Sequence, residues 1–154
     1  MKSSGIKTST VLASFLLAAC LSMHAEVKLP AIFSDGMVMQ QQTNANLWGT
    51  ATPNKKVTVT TGWNGKQYAV TADKNGSWKL SVSTPEAGGP YTITFDDGTP
   101  KTLNNILIGE LWLCSGQSNM EMPMKGFKNQ PVENANMDIL RSKNPHIRLF
   151  TVKR

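Results

Sequence analysis

Ser118 is the residue whose type and surroundings best suit chemistry. It lies in a short polar segment beside Gly116, Gln117 and Asn119, directly after the apolar run 111–114. A serine just beyond a buried strand can present its hydroxyl and its own backbone N–H to a substrate, and an acyl-transfer nucleophile needs both. The segment is not the Gly-x-Ser-x-Gly elbow of the α/β-hydrolases, because no glycine stands two positions after the serine. Spacing alone therefore leaves two interpretations, a nucleophile or a polar loop that caps the following turn.

Three other side chains could take part in chemistry or binding. Cys114 lies inside the apolar run without a basic neighbour, so we interpret it as a buried packing cysteine. His146 follows an Asn-Pro pair, which favours an exposed turn residue over a general base. Trp63, beside the Asn64-Gly65 turn, either stacks on a sugar ring or, as is commoner, packs against the neighbouring strand.

The segment that carries Ser118 has the pattern of an α/β fold. Residues 106–114 are nearly continuously apolar, which is typical of a strand buried on both faces. Pro131 favours the start of a helix that runs to about Ser142 with one apolar face. Residues 147–152 predict a second buried strand. Residues 106–154 are thus predicted to form one β-α-β unit.

Residues 26–105 have a different pattern, in which apolar side chains alternate with polar ones. Such alternation indicates antiparallel strands with one buried face. Turns are predicted at Asn64-Gly65, Asn75-Gly76 and Asp97-Gly98. Their spacing predicts a β-sandwich of roughly seven short strands. We therefore expect a mainly β protein with a sandwich domain at 26–105 and a separate unit beginning at 106.

The first 25 residues resemble an export signal. Lys2 and Lys7 precede an apolar run at 11–21, which suits a signal peptide and is too short to span a bilayer. One interpretation is cleavage after Ala25. The other is a lipoprotein signal at residues 1–19, with Cys20 as the lipidated first residue. Both predict an exported protein that is periplasmic, secreted or anchored to the outer membrane, with no transmembrane helix.

Composition narrows the function classes further. The 154 residues carry a formal charge of +6, but the basic residues are scattered, which argues against a nucleic-acid partner. The length excludes a large multidomain enzyme, and the low share of charged residues, 17%, argues against disorder. The two cysteines, Cys20 and Cys114, make no disulfide framework, because Cys20 is either removed or lipidated.

Four stretches of this chain resemble the sialate O-acetylesterase family of the SGNH hydrolase superfamily. The likeness covers essentially the whole mature chain and is most specific around Ser118. The matching stretches are IGELWLCSGQSNME at 108–121, LPAIFSDGMV at 29–38, Trp48-Gly49, and Gly76-Ser77-Trp78.

The resemblance implies an exported serine esterase that removes O-acetyl groups from sialic acids through an acetyl-serine intermediate. Ser118 matches the family's nucleophile, and its backbone N–H would contribute to the oxyanion hole. Gly116, Gln117 and Asn119 would form the supporting loop. The implied partner is an O-acetylated sialic acid or another acetylated glycan, and neither a metal nor an organic cofactor is required.

The resemblance also implies that this chain is an N-terminal fragment. The family's base is a His in an Asp-x-x-His element near its C-terminus. His146 does not match this element, since Asp138 is not three residues before it. Residues 106–154 would then be the truncated start of an SGNH-type α/β/α domain, inactive alone. Two alternatives stay open, an acetylxylan-type polysaccharide deacetylase and a non-catalytic carbohydrate-binding β-sandwich module.

Overall fold

The computed structural model describes residues 26–152, and the expected leader with Cys20 lies outside that range. The chain is mainly β, as predicted. Two short helices follow the last strand. The elements in chain order are β1 (Val38–Gln40), β2 (Asn44–Thr50), β3 (Lys56–Thr61), β4 (Gln67–Thr71), β5 (Ser77–Ser83), β6 (Gly88–Asp96), β7 (Lys101–Gly109), α1 (Ser118–Glu121) and α2 (Ala135–Arg141).

The strands form two sheets. The larger has the order β1-β7-β6-β3-β4, and the smaller pairs β2 with β5. Every pairing is antiparallel except that of β1 with β7, which is parallel. The predicted turns at Asn64-Gly65 and Asp97-Gly98 join β3 to β4 and β6 to β7. The turn at Asn75-Gly76 instead links strands of different sheets, because β5 pairs with β2.

The Asn64-Gly65 turn shows how local chemistry sets these connections. Gly65 has a φ of 66°, a left-handed conformation that glycine adopts at little cost. The Oδ1 atom of Asn64 accepts hydrogen bonds from the hydroxyl of Thr61 at 2.7 Å and from the backbone N–H of Lys66 at 3.0 Å. The turn is thus held by its own polar groups, and the flanking strands pair in one register.

Both sheets contribute to a single apolar core. The alternation in β3 buries Val57 and Val59 completely, and Phe95 of β6 is equally inaccessible. From the smaller sheet, Leu47 and Trp78 enter the same cluster, with the Trp78 ring 5.9 Å from that of Phe95. Burial of these side chains is the main apolar contribution to stability, at roughly 1.5–3 kcal/mol each.

Strand β7 differs from the prediction. We expected a new strand to begin at Ile106, but Lys101–Gly109 is one continuous strand of the large sheet, with Ile106 and Ile108 buried. The domain boundary set after Asn105 therefore falls inside β7. Asn104 and Asn105 are consecutive exposed residues, Asn105 has a φ of 58°, and the register with β6 shifts nearby. This irregularity breaks the period-two pattern, which is why one strand resembled two.

Beyond Gly109 the predicted β-α-β unit is only partly present. The helix exists as α2, shorter than expected at its start. Neither residues 110–114 nor 147–152 form strands, and their apolar side chains are exposed, with Leu113 at 90% and Leu149 at 94%. A strand needs a partner strand for its backbone groups, and among residues 26–152 no strand pairs with either segment.

The core predicts the result of one substitution. Phe95→Ala removes a fully buried ring between the sheets, and we expect it to lower the free energy of unfolding by about 3–5 kcal/mol. Leu113→Ala, at an exposed site, serves as the control and should change it by less than about 0.5 kcal/mol. Urea unfolding followed by tryptophan fluorescence measures both. Equal effects of the two variants would contradict this account of the core.

Limited proteolysis should separate the two parts of the chain. Trypsin is expected to cut first after Lys125, Lys128 and Arg141, which lie in the exposed region after β7. Lys56 and Lys79 lie within paired strands and should be cleaved far more slowly, because a protease needs an extended, unpaired backbone. Mass spectrometry of a digestion time course identifies the order. Uniform cleavage at all five sites would contradict the prediction.

Candidate active site

Ser118 is the first residue of α1 and is exposed to solvent. The segment before it contains no helix or strand, and the residue that precedes the helix, Gln117, has φ −97° and ψ −147°. Gln117 accepts one backbone hydrogen bond at its carbonyl, from the N–H of Met120 at 2.9 Å. The first N–H groups of a helix have no partner within it. Ser118 can therefore offer both an accessible hydroxyl and an unbonded helix-start N–H.

The residues predicted to support Ser118 lie around it in the chain. Gly116 and Gln117 precede it and are exposed, and Asn119 follows it within α1. A Cβ atom at Gly116 would lie 3.0 Å from the Cγ atom of Met120. Because that separation is tighter than an ordinary contact, glycine allows the Met120 side chain to fold back over the loop. The loop is thus compact next to the serine.

Glu110 is a residue of this region that the sequence did not single out. Its carboxylate accepts hydrogen bonds from Gln41 Nε2 at 2.6 Å and from Gln40 Nε2 at 3.0 Å. These two bonds, that from Gln41 first, hold the pKa of Glu110 below its usual value of 4.5. No local pattern marks this contact, since its partners are distant in sequence. Only the parallel pairing of β1 with β7 brings them together.

Arg148 is a second residue that the sequence did not single out. Its Nη1 atom donates to the carbonyls of Gly36 and Asn105, both at 2.7 Å, and its Nη2 atom donates to Asn105 Oδ1 at 3.0 Å. The chain that follows α2 is therefore attached to the large sheet through one guanidinium group. The positive φ values of Gly36 and Asn105, 79° and 58°, mark the two irregular positions that Arg148 joins.

His146 lies in a turn, as expected. Its backbone N–H donates to Asn144 Oδ1 at 2.9 Å, and the residue is exposed. Within residues 26–152 no hydrogen bond joins its imidazole to Ser118. The structure thus gives His146 no contact with the candidate nucleophile.

Cys114 differs from its prediction, because it is exposed rather than buried in a strand. The reason is that residues 110–114 have no neighbouring strand to cover them.

Trp63 agrees with the commoner of its two interpretations. Its Nε1–H donates to the carbonyl of Ser83 at 3.1 Å, and its ring meets that of Tyr91 edge-on at 6.0 Å. Trp63 is thus occupied by contacts within the protein.

Among residues 26–152, no group of three or more His, Cys, Asp and Glu side chains could hold a metal ion. Over the same residues, neither helix is long and apolar enough to cross a membrane.

Comparison with known proteins gives three informative matches, although no family model matches the chain. Sialate O-acetylesterase from Mus musculus is 33% identical over 150 residues, which cover 89% of this chain and 27% of that protein. The Homo sapiens sialate O-acetylesterase is 30% identical over 119 residues, or 71% and 23%. The crystal structure of a carbohydrate acetylesterase from Xanthomonas citri matches with a TM-score of 0.60 and 36% identity, over 64% of this chain and 23% of that one.

These relatives are all named as esterases, which supports a family of carboxylic ester hydrolases. Within that class, the chain belongs to a sialate O-acetylesterase-like family, of which it is a partial region. The chain spans about a quarter of the length of the curated relatives it matches.

The exposure of Cys114 can be checked chemically. In a chain that carries Cys20→Ser, we expect one thiol to react with DTNB under native conditions, within about tenfold of the rate of a small free thiol. Cys114→Ser in the same background should abolish the reaction. A thiol that reacts only after unfolding in urea would show that Cys114 is buried.

Proposed function

We propose that this chain carries the nucleophile of a carbohydrate O-acetylesterase and that Ser118 is that nucleophile. The observation that supports it most is the exposed position of Ser118 at the start of α1, in a chain whose relatives are named as acetylesterases. Gly116, Gln117 and Asn119 form the loop that presents it.

In the proposed reaction, the Oγ atom of Ser118 attacks the acetyl carbonyl carbon while a general base takes its proton. The backbone N–H of Ser118 donates to the oxygen that becomes negative. The bond between the acetyl carbon and the sugar oxygen then breaks, and the sugar leaves as an alcohol after it receives the proton. Water attacks the acetyl-serine in the second half-reaction, which releases acetate and restores the hydroxyl.

The proposed substrate is an O-acetylated sialic acid. The support is the name of the Mus musculus and Homo sapiens relatives, each of which is a sialate O-acetylesterase. An acetylated plant polysaccharide such as xylan is the second candidate, since the Xanthomonas citri relative is named as a carbohydrate acetylesterase without mention of a particular sugar. Acetate release from each substrate, compared under the same conditions, decides between them.

We further propose that the β region is a sandwich that accompanies an SGNH-type α/β/α domain, of which the region after β7 is the beginning. Both sheets share one core, which is consistent with a sandwich. The protein would be exported through the leader at 1–25, or anchored through a lipid on Cys20, to reach an extracytoplasmic glycan. Cell fractionation of a tagged chain, with Cys20→Ser as the variant, tests the location and the anchor.

The 154 residues alone should have little or no esterase activity. No imidazole is hydrogen-bonded to Ser118 among residues 26–152, and loss of the base in a serine hydrolase lowers the rate on the order of 10⁴ to 10⁶-fold. Acetate release by the purified chain should therefore stay near the uncatalysed background. Turnover close to that of a full-length relative would refute this expectation.

Ser118 itself is tested in a longer polypeptide. This is the product of the same gene if its reading frame continues past Arg154. A fluorophosphonate should label that polypeptide, and Ser118→Ala should abolish both the label and acetate release. Ser115→Ala, in the same exposed loop, is the matched control and should keep both. Unchanged labelling of the Ser118→Ala variant would remove Ser118 from the mechanism. An unmodified polypeptide that takes no label at all would favour a non-catalytic, carbohydrate-binding role for the chain.

A further inference from the structure

A network of side chains surrounds the point where the chain leaves β7. Gln40 bonds to two successive residues there, because its Nε2 atom donates to Glu110 and its Oε1 atom accepts the backbone N–H of Leu111 at 2.9 Å. Gln41 donates to Glu110 through its side chain and to the carbonyl of Gly109 through its backbone N–H at 2.8 Å. The Oε1 atom of Gln41 also accepts the N–H of Ala87 at 2.8 Å. Glu110 is therefore attached to the carboxyl end of β1.

A second attachment lies at the other end of the same strand. Gly36 and Asn105, which hold Arg148, are adjacent, since Gly36 N–H donates to Asn104 O at 3.0 Å. Gly36 comes just before β1, whereas Gln40 is its last residue. Glu110 thus contacts the carboxyl end of β1, whereas Arg148 contacts Gly36 before the start of β1 and Asn105 of β7. The region that carries Ser118 lies between these two contacts in sequence.

The residues between these two contacts have few other means of being held. Among residues 111–147, Ala135 alone belongs to the buried apolar set, and it is absent from the main core cluster. The two helices of this region are short, and its large apolar side chains are mostly exposed. The polar contacts of Glu110 and Arg148, at the two ends of this region, are therefore its main attachment to the sheet.

We propose that Glu110 and Arg148 are positioning residues, which set the placement of the Ser118 loop by fixing both ends of its segment to the β1–β7 edge of the large sheet. The positioning role rests on the proposed function of Ser118, whereas the two attachments do not depend on it. A nucleophile displaced by about 1 Å from its productive position loses on the order of a hundredfold in rate, so the direction in which the chain leaves β7 matters for catalysis.

Both contacts pair a charged group with neutral dipoles. Glu110 faces two amide groups, and Arg148 faces two carbonyls and an amide oxygen. Hydrogen bonds to ionised groups are stronger than neutral ones. Glu86 is the charged residue on the neighbouring connection between β5 and β6, and it accepts from Gln42 Nε2 at 3.4 Å. The salt bridge between Lys101 and Glu26 does not involve Glu110.

The attachments can be measured on the 154-residue chain by amide hydrogen exchange. Glu110→Gln should speed exchange of the Leu111 and Ala87 N–H groups by about tenfold, because the glutamine side chains that hold them lose their charged partner. Glu133→Gln, a matched change at an exposed site, should leave both rates as they are. Exchange in β3 should be the same in every variant, which establishes that the sheet remains folded. Unchanged exchange at Leu111 and Ala87 in folded Glu110→Gln would overturn the proposal.

Arg148 is tested in the same way. Arg148→Lys keeps the charge but loses the planar fork that reaches Gly36 and Asn105 together. It should raise the exchange rates of the His146 and Ile147 N–H groups by about tenfold. Arg141→Lys, in the last turn of α2, is the matched control and should leave them unchanged. Equal rates in Arg148→Lys and the unmodified chain would overturn the role of Arg148.

A pH titration gives a signature that a general loss of stability would not. The pKa of Glu110 is lowered in the folded chain, so its bonds to Gln40 and Gln41 persist at neutral pH and are lost as the pH falls through that lowered pKa. Between about pH 6 and pH 3, the side-chain amide resonances of Gln40 and Gln41 should move together with one midpoint below 4.5. The movement should be absent in Glu110→Gln and present in Glu133→Gln. If the side-chain amide resonances of Gln40 and Gln41 do not change with pH in the unmodified chain, the hydrogen bonds to Glu110 are contradicted.

The catalytic consequence is measured on the longer polypeptide used for Ser118. Glu110→Gln and Arg148→Lys should each lower kcat on the order of tenfold to a hundredfold with little change in KM, because they displace the nucleophile and not the substrate site. If the exchange rates rise but Ser118→Ala keeps its fluorophosphonate label, the attachments stand and the proposed nucleophile fails. If kcat is unchanged although exchange has risen, the positioning role itself is overturned.

Discussion

The parallel pairing of β1 with β7 is the contact on which the rest of this structure depends. Strand β7 lies between β6 and β1, so its backbone groups find partners on both sides, and Ile106 and Ile108 are buried against the core. The same pairing places the residues around β1 next to the point where the chain leaves the sheet. Without β1, Glu110 would lose its bond to Gln40, and Arg148 would lose the Gly36 carbonyl that lies just before that strand.

The two parts of the chain are held by different forces. The sheets are stabilised by apolar burial, with side chains from both meeting in one cluster. The region after β7 has little apolar burial and is attached by charge-assisted hydrogen bonds to neutral groups. This division matters for an esterase-like chain, because its candidate nucleophile belongs to the second part while the rigid scaffold is the first.

Particular residues show where sequence patterns predict the structure correctly and where they do not. Val57, Val59 and Phe95 alternate with polar neighbours, and the structure buries all three as the pattern predicts. The apolar run that begins at Ile106 predicts a new strand, but it continues β7 beyond the irregular Asn104-Asn105 pair. The apolar run 111–114 likewise predicts a buried strand from hydrophobicity alone. An apolar segment gains free energy when it is buried, but burial within a sheet also requires a neighbouring strand, and the hydrophobicity of the segment does not indicate whether one is present.

The sequence by itself determined the mainly β character, the two hairpin turns and helix α2, because each depends on residues that are close together in the chain. It also determined the family, through short motifs that can be compared without knowledge of the fold. Ser118 also stood out from its local motif alone. Only the tertiary structure decided that Ile106 continues β7, that Cys114 is exposed, and that Glu110 and Arg148 attach the serine-bearing region to β1. The physical reason is that these features depend on strand pairing between residues far apart in sequence, and no local pattern of side chains encodes which distant strand becomes the neighbour.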